Sequence, residues 1–199
     1  MPLLIPRGSN QQIVSPGGRS IISYDPQTGK EYWKILHRGW SIAPRPIYGN
    51  DLVYVMMDHD HPELWAIDPN GEGDVTNSHI RWKFTKSVPP RSTPILVEDL
   101  IYFVNRSGII SCIETSSGEL VWKKRLEGNF SASPVYANGQ LYFFNEEAAA
   151  TVIKPGRDFK IVAENKLAVE TLMASPAIAG DSLYVRTDGH LYRIDNPEN

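Results

Sequence analysis

The densest group of side chains able to hold a metal or move a proton is Asp58-His59-Asp60-His61, with Glu63 two residues further on. Imidazoles and carboxylates are ligands for zinc and similar divalent ions, which take four donors in a tetrahedron, or three with one position left open. Alternation along a strand would place His59 and His61 on one face and the two aspartates on the other, so a two-histidine site needs ligands from elsewhere in the fold. The group lies between two apolar runs, Val53-Tyr54-Val55-Met56-Met57 and Leu64-Trp65-Ala66. A solvated hairpin tip is the simpler reading, with His59 and His61 kept as weak metal candidates. His37, His79 and His190 stand apart from one another and form no catalytic set.

Nucleophiles are equally sparse. The serines sit in turns and in Ser-x-Ser-Pro contexts, with no Gly-x-Ser-x-Gly elbow to raise a hydroxyl above a sheet, and no glycine loop of the kind that cradles phosphate is present. The single cysteine, Cys112, excludes an internal disulfide and any multi-cysteine metal centre. Within Ile109-Ile110-Ser111-Cys112-Ile113 it reads as a small buried hydrophobe. Asn105-Arg106-Ser107 and Asn129-Phe130-Ser131 match the glycosylation tripeptide, a pattern short enough to arise by chance. No catalytic residue and no cofactor is expected from these residues.

The formal net charge is −3, and the basic residues are spread along the chain with no stripe to neutralise phosphates, which excludes nucleic acid as the expected partner. No run is long and apolar enough for a transmembrane helix, and Met1-Pro2-Leu3-Leu4-Ile5-Pro6 has neither a basic start nor a long enough apolar core for a signal peptide. With 41% hydrophobic and 22% charged residues the chain has the composition of an ordinary globular domain with a sizeable core.

The elements that must position any site come from an internal repeat. A proline is followed eight positions later by a tyrosine at Pro46/Tyr54, Pro94/Tyr102, Pro134/Tyr142 and Pro176/Tyr184, the prolines being 48, 40 and 42 residues apart. Each unit reads as a short strand, a Gly/Asn/Asp turn and a second strand rich in aromatic and branched residues, which is hairpin grammar. A third strand ends in an acid, and a turn then leads to a fourth strand carrying tryptophan. Asp25 precedes Trp33 by eight positions, and Glu114 precedes Trp122 by the same spacing. The unit at Asp68 reaches Trp82 only after extra residues, 71–77, which read as a longer outer turn. In the fourth unit the acid position falls on Lys154 and the tryptophan position on Val162. Glu146-Glu147-Ala148-Ala149-Ala150 has local helix propensity but reads as a turn leading into a strand.

The acids Asp25, Asp68, Glu114 and Asp195 cap local amides, and the following glycines supply positive φ. The tryptophans Trp33, Trp82 and Trp122 bury apolar area against the neighbouring unit, as do the repeat tyrosines Tyr54, Tyr102, Tyr142 and Tyr184. A period near forty residues with four strands per unit predicts an all-β protein, a β-propeller of four-stranded antiparallel blades. Five blades are expected in a single domain over residues 1–199, approximately at 2–36, 37–86, 87–127, 128–168 and 169–195, the last without its outer strand. An unpaired outer edge invites closure by another strand, edge-to-edge self-association, or further blades in a longer chain, of which the last is favoured.

These features resemble the pyrroloquinoline-quinone-like (PQQ-like) repeat propellers, over about residues 2 to 195. The resemblance rests on Tyr24-Asp25, Thr28-Gly29-Lys30 and Trp33; on Glu114, Gly118-Glu119 and Trp122; and on the Pro-to-Tyr hairpins. That family includes quinoprotein alcohol dehydrogenases, the BamB-like lipoprotein of the outer-membrane assembly machinery, and exported bacterial propellers. It implies a propeller of seven or eight blades, of which this chain would be a part, and an extracytoplasmic or periplasmic location. Its dehydrogenases hold a quinone and calcium through an acidic pair, an asparagine, a basic residue and often vicinal cysteines, a set with no counterpart here.

The leading expectation is therefore a non-catalytic scaffold that binds a protein or another macromolecule. The rival is a quinone- or metal-dependent oxidoreductase completed by further blades. Partner-binding candidates lie in the connections: Arg38, Trp40, His59, His61, Arg91 and Phe130, with Trp40 and Phe130 equally readable as core at the start of an innermost strand.

Overall fold

The computed structural model describes residues 1–57, 59–167 and 169–195. Asp58, part of the histidine–aspartate group, lies outside the described residues. Among them there is no helix; the regular structure is strand throughout.

The strands follow in chain order as Leu3–Arg7 (β1), Asn10–Gly17 (β2), Ser20–Tyr24 (β3), Glu31–Leu36 (β4), Ile47–Gly49 (β5), Leu52–Met57 (β6), Glu63–Ile67 (β7), Gly73–Asp74 (β8), Ile80–Phe84 (β9) and Ile95–Val97 (β10). The second half contributes Leu100–Val104 (β11), Ile109–Glu114 (β12), Leu120–Arg125 (β13), Val135–Ala137 (β14), Gln140–Phe144 (β15), Ala149–Lys154 (β16), Lys160–Lys166 (β17), Ala177–Ala179 (β18), Ser182–Arg186 (β19) and Leu191–Asp195 (β20). They form five sheets, ordered β1-β2-β3-β4-β8, β5-β6-β7-β9, β10-β11-β12-β13, β14-β15-β16-β17 and β18-β19-β20. Apart from β8, which joins the first sheet out of sequence, each is an antiparallel meander, the hairpin succession that the Pro-to-Tyr repeat predicts.

A meander this thin cannot hide its apolar residues alone, so each sheet stacks on the next. The core is accordingly four clusters, each shared by two consecutive blades. Trp33, Ile21 and Ile35 of the first blade meet Val53, Val55 and Trp65 of the second. Tyr54, Met56 and Phe84 meet Ile101, Phe103 and Ile113, while Tyr102, Cys112 and Trp122 meet Phe130, Leu141 and Phe143. Phe144 and Ala150 meet Leu172 and Val185 of the fifth. Both faces of β6 are covered, so residues 53–57 are buried in succession instead of alternately.

Two devices lock neighbouring blades in register. Each outer-strand indole donates to a backbone carbonyl in the next blade: Trp33 Nε1 to Pro69 O at 2.9 Å, Trp82 Nε1 to Thr115 O at 2.8 Å, and Trp122 Nε1 to Gly156 O at 3.0 Å. Gly118 has φ +72°, and a Cβ there would come within 2.6 Å of the Trp82 ring, so the turn glycine leaves room for the docking indole. Near the innermost strands, the residue before each proline links to its counterpart in the next blade. Arg45 N donates to Thr93 Oγ1 at 3.1 Å, Thr93 N to Ser133 Oγ at 2.9 Å, and Ser133 N to Ser175 Oγ at 2.9 Å. The Ser-x-Ser-Pro text is thus a girdle of hydrogen bonds across four blades.

Counted from the hairpin turn, Gln12 stands in the first blade where Tyr54 stands in the second, while the residue in line with Ser23 and Trp33 is Val14. Gln12 is fully buried, accepts from Ser23 Oγ at 2.6 Å and Trp33 Nε1 at 2.9 Å, and donates to Pro69 O at 3.1 Å, so all its polar atoms are satisfied.

Three sequence expectations need correction. Residues 71–77 are more than a long turn: β8 crosses back to the first blade and pairs in parallel with β4, Trp33 opposite Gly73 and Lys34 opposite Asp74. Val75 N continues the ladder to Lys34 O at 2.9 Å, its side chain is buried, and Thr76 Oγ1 accepts from Leu36 N at 2.9 Å. This latch covers an edge that a four-stranded blade would leave open. In the fourth blade the tryptophan position is Ala163, not Val162. Trp33 pairs with Ser23, Trp82 with Ala66 and Trp122 with Cys112, each next to a register shift; the corresponding partner of Val152 is Ala163. The turn before β17 is one residue longer than a spacing of eight assumes.

The third correction concerns the repeat tyrosines, which do not all pack alike. Tyr54 and Tyr102 are fully buried, but Tyr184 is not sealed as its place in the repeat predicts: it is only half-buried and lines an open recess with Arg193 and Asp195. Tyr184 lies on β19, pairing with Ala177 on one side and Arg193 on the other, so its backbone is in register with the repeat. The difference is in what covers its ring. Among the described residues the fifth sheet has three strands and no outer strand carrying an indole, so the apolar cover that Trp82 gives Tyr54 and Trp122 gives Tyr102 has no counterpart there. Tyr142 is half-buried for a related reason, since the fourth blade has Ala163 in the indole's place.

The acid-turn chemistry holds at Asp25, which accepts from Gln27 N at 2.8 Å, Thr28 N at 2.9 Å and the Tyr32 hydroxyl at 2.6 Å. The Tyr32 hydroxyl and then the two amides hold its carboxyl down at about 2, from an ordinary 3.8. A carboxyl depressed in the folded state adds stability above its ordinary value and loses it as pH falls towards the folded one. The thermal midpoint is therefore expected to drop on acidification from 3.8 towards 2, and Asp25→Asn to make that drop shallower. Thermal melts in stepped acidic buffers check this; identical pH profiles for the two proteins would refute it. Asp68, Asp74, Glu170 and Asp195 are lowered too, so one substitution flattens only part of the curve.

Candidate binding face

In a four-stranded antiparallel meander, the connection from the second strand to the third and that from the fourth strand to the next blade leave at the same end. Every partner-binding candidate lies in one of these connections, so the topology gathers them on one face. Arg38 and Trp40 follow β4, His59 and His61 lie between β6 and β7, Arg91 follows β9 and Phe130 follows β13.

Trp40 is 62% exposed, yet it is held in place. Its Nε1 donates to Asp60 Oδ2 at 3.0 Å, and its ring lies tilted over His59 with centroids 5.9 Å apart. The Trp40 indole, then the His59 imidazole, lower the Asp60 carboxyl from its ordinary value. This fixes an anion at the edge of the exposed ring.

Two recesses adjoin it. One, of about 330 Å³, lies between the first two blades and is lined by His37, Arg38, Met57, His61, Glu63 and Trp65, with Lys83 closing it. The Lys83 ammonium sits 3.8 Å from the Trp65 ring centroid, and Trp65 Nε1 donates to Glu63 Oε2 at 2.6 Å. The other, of about 130 Å³, spans the second to fourth blades and is lined by His59, Pro89, Pro90, Arg91, Arg106 and Phe130. Arg38, Arg91 and Arg106 are exposed around these recesses.

The structure separates residues that the sequence placed together. His59 and His61 fall in a bend, not on a strand, and line different recesses. Among the described residues no three His, Cys, Asp or Glu side chains converge as a metal site. Phe130 is 4% exposed and belongs to the core between the third and fourth blades, where it forms the floor of the smaller recess. Arg106 escaped the sequence reading; it lies in a tight turn beside Asn105, and its carbonyl accepts from Phe130 N at 2.8 Å. Its signal was the Asn-Arg-Ser-Gly turn text.

Cys112 is fully buried, and burial pushes its thiol up to about 12. A neutral thiol of this kind is a packing group. The Tyr54 hydroxyl is likewise pushed up to about 12 by burial. Of the other turn acids, Asp68 caps the Asn70 amide at 2.9 Å and also accepts from Arg81 at 2.5 Å, whereas the Glu114 carboxylate, with Asp99, holds Arg157 of the fourth blade. Asp195 accepts from Ser182 Oγ at 2.5 Å and from Arg193 at 3.0 Å.

Stacked four-stranded meanders with a face of connections above them define a β-propeller. The chain belongs to the family described as outer membrane protein assembly factor BamB, whose model matches residues 5–198. Among solved structures, BamB from Moraxella catarrhalis superposes with a TM-score of 0.73 at 15% identity, over 97% of this chain and 57% of that one. The computationally designed Ika8 protein gives 0.71 at 8% identity, over 96% and 57%. The Cps50 (Swd1) β-propeller domain of Myceliophteria thermophila gives 0.66 at 13% identity, over 97% and 69%. At these identities the likeness is one of fold, and the chain spans just over half the length of the first two. No curated protein matches it in sequence. No helix among the described residues is long and apolar enough to cross a membrane.

Proposed function

We propose that this chain is a non-catalytic binding platform whose connection face docks a protein partner, with assembly in the cell envelope as the setting its family suggests. The observation that carries the reading is Trp40, an indole 62% exposed but fixed by Asp60 and His59. A large aromatic already ordered in the free protein offers contact area at little entropic cost, which is why tryptophan and arginine dominate binding hot spots. Arg38, Arg91 and Arg106 surround the recesses with guanidinium groups suited to carbonyls and carboxylates of an incoming chain.

The test uses the full chain with a photo-crosslinking residue at Arg38, in extracts of its own cell envelope. A discrete crosslinked protein is expected, and Trp40→Ala combined with Arg91→Ala should abolish it while leaving the thermal midpoint unmoved. Crosslinking that survives the double substitution, or a Trp40→Ala protein that unfolds, would sink the assignment.

A further inference from the structure

A recess of about 520 Å³ lies on the opposite face, among the turns that join the first and second strands of the fourth and fifth blades. It occupies the junction where the outer-strand indole is missing. At the three preceding junctions Trp33, Trp82 and Trp122 fill the wedge between blades and donate to the next blade. At the fourth the register supplies Ala163. The consequence is visible on Tyr142. Its counterparts Tyr54 and Tyr102 have an indole ring at 5.7 and 5.9 Å respectively, and the equivalent recess beside Tyr102 measures about 200 Å³; Tyr142 has no indole against it among the described residues, and its recess opens to about 520 Å³. Around it Tyr136, Ile178 and Ile194 are 42%, 45% and 38% exposed.

We propose that this recess is a binding site for a tryptophan side chain carried by a partner polypeptide. The shape argument comes from the protein itself: its own fold seats an indole in the equivalent wedge at three places, at two of them against the repeat tyrosine. The volume falls in the range of roughly 300–1,000 Å³ typical of ligand pockets. Among the described residues the lining includes the carboxylates of Asp181 and Asp195 and the amides of Asn138 and Gln140, and no cationic side chain, so it offers acceptors to an indole N–H and disfavours an acidic flank. The site shares no residue with the connection face, and its failure would leave the proposed function standing.

The experiment is an amide NMR titration of the isotope-labelled full chain with N-acetyl-L-tryptophanamide, with N-acetyl-L-alaninamide and tryptamine as comparison arms. Saturable shifts are expected in residues 136–142 and 178–183 with the tryptophan amide and not with the alanine amide. Ala163→Trp, which restores the internal indole, should abolish the shifts and raise the thermal midpoint; Ile178→Arg, at an exposed position, should abolish them with the midpoint unchanged. Absence of saturation, shifts centred elsewhere, undiminished binding to both variants, or saturation by tryptamine alone would each overturn the proposal.

Discussion

Replacing Trp33 by alanine is expected to lower the unfolding free energy by about 3–5 kcal/mol, the range seen when a buried aromatic is truncated in a core. Trp33 has no exposed surface and lies at the centre of the cluster that joins the first two blades. Its indole does two further things that alanine cannot. It donates to both Gln12 Oε1 and Pro69 O at 2.9 Å, tying the buried glutamine of one blade to the turn of the next. It also stands opposite Gly73, so its removal leaves a void beneath the latch strand. Both acceptors keep other donors, Ser23 to Gln12 and Arg7 to Pro69, so the void is the dominant cost and the lost hydrogen bond the smaller one. Trp33→Phe separates the two, and should cost about half as much because most of the apolar volume remains. Urea unfolding measures both. A loss below about 1 kcal/mol for Trp33→Ala would be ordinary for a surface change and would mean that the indole does not hold this junction.

The repeat was legible because its carriers act locally. Proline sets the start of an innermost strand, tyrosine and tryptophan need a neighbouring blade to bury them, and an acid with a glycine closes a turn whatever surrounds it. Five blades follow from spacing alone. The face that gathers Arg38, Trp40, His59 and Arg91 follows as well, since strand alternation decides at which end each connection emerges. What escaped depends on pairings between residues distant in sequence. Nothing local reveals that Ala163 stands opposite Val152, because one added residue in the preceding turn displaces the count by one. Phe159 in that turn packs on Trp122 with ring centroids 5.1 Å apart, which gives the longer turn its own anchor. Tyr184 shows the same limit: its spacing from Pro176 matches that of Tyr102 from Pro94, yet the burial of each ring is decided by an indole some distance along the chain. The parting of His59 from His61 depends on a bend that overrides the alternation a strand would impose. The hydroxyls of Thr93, Ser133 and Ser175 were visible as a pattern, but their role as acceptors for the preceding blade appears only once the blades are stacked.

The latch is the clearest case of a structure concealed by composition, and it carries the second large effect. Gly71-Glu72-Gly73-Asp74-Val75-Thr76 combines two glycines and two acids, residues depleted in strands, so propensity argues against the pairing that forms. The pairing survives because one apolar side chain, Val75, is 3% exposed in the cluster of the first two blades, and Arg7 donates to Pro69 O at 3.1 Å and Gly71 O at 3.0 Å to hold the loop's entry. Val75→Asp is expected to destabilise the protein by about 3–5 kcal/mol, the sum of a lost apolar contact and a carboxylate placed where it has no partner. Because β8 is short, it can detach without global unfolding, and the substitution should then leave the edge of β4 exposed. Hydrogen exchange distinguishes the two outcomes from a harmless change. The amides of Val75 and Leu36, bonded to Lys34 O and Thr76 Oγ1, should lose protection first and most, with concentration-dependent self-association following from the bared edge. Protection at Val75 and Leu36 equal to that of the parent protein would show that the loop is held by its backbone and by Arg7, and that the buried valine contributes little to the first blade's fifth strand.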